Sequence, residues 1–217
     1  MVTAEDLEVA TDCVVDALRP ATDADWSVPA GSLEWSCRDT AQHIGQAHLH
    51  WASQLVVGAR TQYVRWSARP QELAPPAGVL DFVEAAGRIL ACVVRASPAE
   101  TRAFHPYGYG DPEGFAGMGC VEMLLHGQDL ATGLACSLEP PAGVCERVLT
   151  RLFPHEPRVA DDAWLELRRV TGRAVVPGAP ARDSWKWRST PLNEPWDGSP
   201  TPEPMPFVPL TERQSNG

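Results

Sequence analysis

Between Ala116 and Cys136 the sequence carries only two charged residues, Glu122 and Asp129, and a single histidine, His126. At about 100° per residue on an α-helix these three fall within a narrow arc, and Gly133 continues it. Met123, Leu125, Leu130 and Leu134 surround the arc. A helix so apolar around its circumference has to be enclosed by other elements. A carboxylate taken into such surroundings is costly unless it is paired or holds a metal. The stretch therefore demands a fold that wraps a helix of Gly119 to Ala135 and supplies partners for its polar stripe. Glu-x-x-x-His spacing places both side chains over successive turns, so one ion can touch both. A buried, hydrogen-bonded Glu–His pair meets the same spacing and competes with that reading.

The rest of the chain supplies helices of the right kind. A first helix is expected from Thr3, with Asp6 placed for a capping arrangement, Leu7, Ala10, Val14 and Leu18 on one face, and Pro20 as its stop. A second starts at Ser36 as N-cap, with Asp39 in the first turn, and runs to Val57, where Gly58 can end it. A third is read over Asp81 to Ala96, with Phe82, Ala85, Ile89 and Val93 inward and Glu84/Arg88 as an exposed pair. Ser97 to Gly117, which includes HPYGYGDPEG, reads as a long loop. Beyond the polar-striped fourth helix, a fifth runs from Pro141 in its first turn to Phe153, with Val144, Val148 and Leu152 along it. AWLELRRVTGRAVVPG reads as a short helix, a turn and an extended stretch. No alternating strand pattern occurs, so the fold class is all-α: a four-helix bundle with a C-terminal extension over residues 1–190. Residues 191–217 form a Pro-rich tail expected to be extended or disordered, with seven prolines from Pro191 to Pro209.

Composition narrows the function classes. A chain of 217 residues with 44% hydrophobic and 21% charged residues can bury a full core. Its net charge of −10 argues against a nucleic-acid partner, since Lys186 is the only lysine and no basic face is evident. No apolar run is long enough to span a bilayer, and the acidic N-terminus lacks the basic and apolar regions of a signal peptide. A cytoplasmic location and no membrane partner are the resulting expectations. Cys13, Cys37, Cys92, Cys120, Cys136 and Cys145 are scattered without a CxxC pair, as expected of small, mostly buried apolar residues in a reducing compartment.

A metal on Glu122 and His126 would need a third ligand, and the second helix offers His43, His48 and His50. Cys37, Ala41, Ile44, Trp51 and Leu55 define its apolar stripe. His48 lies on that stripe, while His43 sits on the flank with Ala47, His50 and Gln54. Periodicity alone thus places His48 slightly ahead of His43. Trp26, Trp35 and Trp51 could line a pocket, although aromatic residues at bundle ends more often belong to the core.

The run Trp35-Ser36-Cys37-Arg38-Asp39 leading to His43 resembles the W-[ST]-x-x-[DE]-x-x-x-H signature of the DinB-like superfamily. Within it the mycothiol-dependent maleylpyruvate isomerase N-terminal family is the nearest group. Glu122-Met-Leu-Leu-His126-Gly-Gln-Asp129-Leu130 is similar to that family's E-x-x-x-H-x-x-D-L element. Thr171-Gly172-Arg173, Val176-Pro177-Gly178 and Trp185 are similar to a later element of many members. The resemblance implies a DinB-like bundle whose second and fourth helices hold a divalent metal through His43, Glu122 and His126. Many superfamily members use three histidines, and Glu122 follows the isomerase branch instead. Asp129 matches the motif as a group behind the ligands or as a structural acceptor.

Two histidines, one carboxylate and an open position suit zinc, with nickel, iron or manganese as alternatives. The resemblance further implies mycothiol or another low-molecular-weight thiol as cosubstrate, giving a thiol transferase or isomerase acting on an electrophilic small molecule. A non-catalytic metal-binding or regulatory bundle protein, or a hydrolase using metal-bound water, needs the same ligands. The maleylpyruvate isomerases carry a C-terminal domain with a catalytic arginine for which no counterpart can be matched here. A homodimer is one option for the chain's assembly.

Overall fold

A computed structural model describes residues 1–179 and 184–200. Six α-helices follow one another: α1 (Ala4–Leu18), α2 (Cys37–Val57), α3 (Pro76–Ala96), α4 (Pro112–Gly133), α5 (Ala142–Leu152) and α6 (Ala163–Val170). Among the described residues there is no strand, only isolated bridges such as Ala103 with Gly110. The all-α bundle read from the sequence is the architecture found.

Local chemistry sets the boundaries of the first two helices. Thr3 and Asp6 form a reciprocal capping box at α1, which ends at Leu18 before a 3₁₀ turn containing Pro20. Ser36 Oγ accepts from the Asp39 amide at α2, and Gly58 closes that helix at a φ of 61°. Each such cap is worth about 1 kcal/mol.

Two expectations need correction. α4 begins at Pro112, not near Gly119, because Asp111 caps it through the Gly114 amide and Pro112 takes the first turn. The stretch GDPEG is thus a helix start inside what reads as loop. α3 begins at Pro76, and its inward face is displaced by about one residue. Val79, Leu80, Val83, Ala86, Gly87, Leu90, Ala91 and Val94 are buried, while Ala85 and Ile89 are exposed and Phe82 and Val93 half-buried. The small residues explain the choice. A Cβ at Gly87 would meet Thr11 and Met123, so this side lets α1 and α4 approach closely. Phe82 instead lies over Gly45, where any Cβ would collide with its ring.

In the bundle, α3 and α4 each pack against both α1 and α2, whereas α1 and α2 lie across from one another. α5 packs on α4, and α6 on α5. One continuous core joins all six helices and Trp187. The segment after α6 returns along α5: the Arg188 amide donates to the Leu152 carbonyl, and buried Arg151 donates to the carbonyls of Arg188, Ser189 and Thr190 and to Asp111. Farther on, Glu194 pairs with Arg102, and Trp196 donates to the Tyr107 carbonyl. The remainder of the Pro-rich tail, 201–217, lies outside the described residues. No helix of the described chain is long and apolar enough to cross a membrane.

Candidate metal centre

The polar arc of α4 faces α2 rather than the middle of the core. Glu122 and His126, one turn apart, reach toward His43 near the start of α2. His43 Nε2 lies 3.1 Å from Glu122 Oε2, and His126 Nε2 lies 3.3 Å from the same oxygen. One potential ligand atom from each of the three residues lies within 4.8 Å of the other two. In a tetrahedral zinc site with bonds of about 2.0–2.1 Å, neighbouring ligand atoms stand about 3.3–3.4 Å apart. The observed spacings fit that edge length, and they also serve as hydrogen bonds between the side chains themselves. Among the described residues no other group of three His, Cys, Asp or Glu meets the same test.

Burial grades across the site. The His43 side chain is 38% exposed, against 15% for Glu122 and 13% for His126. The cluster therefore sits at the edge of the bundle, its inner wall formed by α4 and its mouth by His43. Trp35 tilts against the His43 ring at 5.1 Å between centroids, and His43 meets His126 edge-on at the same separation. Trp35, Asp39, Gln42, His43 and Gln46 line an open depression of about 380 Å³ beside the cluster.

Charge is distributed so that each member supports the next. Burial opposes ionisation of Glu122, but hydrogen bonds from His126 and His43 outweigh it and hold the carboxyl well below the usual carboxylate range. Burial also opposes a charged His126, yet its bonds to Asp129 and Glu122 prevail and raise its pKa to about 9. His126 Nδ1 stands 3.0 Å from Asp129 Oδ2, and Arg173 Nη2 stands 3.1 Å from that same oxygen. Burial would raise the Asp129 pKa; His126 and Arg173 lower it overall.

The other histidines of α2 are elsewhere. His48, which periodicity favours, is wholly buried, with Nδ1 2.7 Å from the Ile44 carbonyl of its own helix and a pKa lowered by burial. His50 lies 2.6 Å from the Trp66 carbonyl, and buried Gln54 accepts from the Val64 amide in the following loop and donates to the Phe104 carbonyl between α3 and α4. Trp26 and Trp51 belong to the core, whereas Trp35 stands at the site. Cys37, Cys120 and Cys145 are buried, Cys13 and Cys136 half-buried, and Cys92 exposed.

Residues 7–131, more than half of the chain, match the model of the mycothiol maleylpyruvate isomerase N-terminal domain. The chain belongs to that family. His43, Glu122, His126 and Asp129 all fall inside the matched span, while Arg173 comes from the extension beyond it. No curated protein and no solved structure matches the chain. Membership of the mycothiol maleylpyruvate isomerase family agrees with the DinB-like helical fold and places the chain among mycothiol-related proteins. Sequence reasoning missed the contact between Arg173 and Asp129, because 44 residues separate them and neither periodicity nor spacing links α4 to the turn after α6.

Proposed function

We propose that this protein is a metal-dependent enzyme using a low-molecular-weight thiol, mycothiol by its family, to transfer sulfur to an electrophilic small molecule or to assist its isomerisation. The observation that carries this reading is the convergence of His43, Glu122 and His126 at the half-exposed edge of the bundle. Zinc suits two imidazoles and a carboxylate best, and nickel, iron or manganese would accept the same donors. When bound there, the cation would lower the pKa of a coordinated thiol toward neutrality.

The side chains divide the remaining tasks. An ionised Glu122 supplies negative charge where a cation would sit, offsetting part of its desolvation. Asp129 accepts from Nδ1–H of His126, which leaves Nε2 as the atom with a lone pair to offer once its proton has gone. His43, at the mouth, keeps one side of the site open to solvent, and the depression beside Trp35 gives a thiol or substrate room to approach. Four of the protein's own cysteines are poor sources of the thiolate. Burial pushes the Cys37 thiol up to about 11 and Cys145 to about 12, and raises Cys120 and Cys13 as well. None belongs to the cluster, which favours a diffusible thiol. Six unpaired cysteines also fit a reducing, cytoplasmic setting.

Metal analysis of the purified protein beside His126→Ala tests the site, and a mass-spectrometric screen for thiol adducts of electrophiles tests the chemistry. Stoichiometric metal and adducts are expected for the wild type, with a large loss of both in the variant. Equal metal content in the two proteins would sink the site assignment. Adducts formed equally well by His126→Ala would sink the mechanism, and ester turnover with no thiol present would select a hydrolase instead.

A further inference from the structure

We propose that Arg173, in the extension beyond the family-matched segment, is a positioning residue for the metal centre and acts through Asp129. The inference rests on the metal-site reading above and deepens it. Its basis is a shared atom: Asp129 Oδ2 accepts from both His126 Nδ1, at 3.0 Å, and Arg173 Nη2, at 3.1 Å. An aspartate held from one side only can turn about its side-chain torsions. Held from both sides, its carboxylate has one orientation, and so does the imidazole that donates to it.

Arg173 is itself well placed for the task. Gly172, at a φ of 73°, turns the chain out of α6, and the Arg173 amide donates to the Arg168 carbonyl at 2.7 Å. α6 is anchored in turn by the buried Glu166–Arg169 pair, whose carboxylate also accepts from the Val159 and Ala160 amides. The guanidinium thus projects from a rigid turn rather than from a loose loop. Its side chain is 22% exposed, and among the described residues Asp129 is the one it forms a salt bridge with.

Positioning and bulk electrostatics predict opposite signs. A cation beside the site repels a metal ion, so on charge alone its removal should tighten binding. If Arg173 instead fixes Asp129 and through it His126, its removal should loosen binding, as loss of groups supporting a ligand generally does by about 10–100-fold.

The test measures zinc dissociation constants of the full chain by competition with a chromophoric chelator. It compares wild type, Arg173→Ala, Arg173→Lys, Asp129→Ala and the Arg173→Ala/Asp129→Ala double variant. Arg173→Ala and Asp129→Ala should each bind zinc about tenfold more weakly or worse, with Arg173→Lys restored to within about threefold of wild type. The double variant should be no weaker than Asp129→Ala alone, because both changes break one chain of contacts. If Arg173→Ala does not fold, Arg173→Gln carries the test, since it keeps a donor and loses the charge. Weaker zinc binding by that variant, with its shorter reach to Asp129, supports positioning, and unchanged or tighter binding overturns it. Zinc bound by Arg173→Ala as tightly as by wild type, or further weakening in the double variant, would overturn the inference while leaving the metal site intact. Failure of the wild type to bind zinc would overturn both.

Discussion

Metal binding should be strongly pH-dependent across a range where an ordinary histidine has ceased to titrate. In the metal-free protein His126 lies between Glu122 and Asp129, and its pKa stands at about 9. At pH 7 nearly every molecule holds that proton, and removing it costs about 3 kcal/mol. A metal needs the neutral ring, so zinc bound through the proposed site would have to displace close to one proton from this residue. The apparent affinity should therefore rise about tenfold per pH unit between pH 7 and 8.5. A histidine titrating near its ordinary 6.5 would give a nearly flat profile over the upper part of that range. Folding of the metal-free protein runs the opposite way. Because the folded pKa lies above the unfolded value, the stabilisation that His126 provides is fully present below about pH 6.5 and is lost as the pH climbs through about 9. Chelator competition from pH 6.5 to 8.5, with calorimetry in buffers of different ionisation enthalpy, measures both slope and proton count. A flat profile above pH 7.5 with little proton release would refute the claim that Asp129 and Glu122 hold His126 charged.

Two further predictions concern the scaffold. Gly133 closes α4 against the Pro29 carbonyl and the Cys37 sulfur, neither of which can yield without moving backbone or core. Gly133→Ala should lose about 1–3 kcal/mol despite the better helix propensity of alanine, measured by urea unfolding; wild-type stability would show that this end of the bundle is loosely packed. Exposed Cys92 should react readily with an alkylating reagent in the native protein, while buried Cys37, Cys120 and Cys145 react only on unfolding. Rapid native labelling of any of those three, located by peptide mapping, would contradict their burial.

The sequence was most legible where local chemistry decides the outcome. Thr3 with Asp6, and Ser36 with Gly58, mark helix ends that the structure reproduces, because a cap is formed by residues a few positions apart. The stripe of Glu122, His126 and Asp129 was equally readable, since one helix carries it. α3 was harder, as two adjacent faces are both apolar and the choice depends on where Ala86 and Gly87 let neighbours approach. His43 could not be chosen from periodicity. A side chain at the bundle's edge that meets a neighbouring helix and still touches solvent lies on the flank of its own apolar stripe. His48, on the stripe, is drawn into the core. The contact of Arg173 with Asp129 joins elements with no sequence relation and becomes visible only in three dimensions.

The position of α4 has an implication for how such a chain could change over time. Its polar side serves the candidate metal centre, while on its other side Gly117 meets Leu152 of α5 and its capping Asp111 receives the guanidinium of Arg151. A boundary drawn at residue 131, where the match to the family's N-terminal domain ends, therefore runs along a seam of packed side chains. A new C-terminal half could be grafted there only if it brought replacements for Leu152, Arg151 and the partner of Asp129. What matches as a domain is, in this molecule, half of a joint.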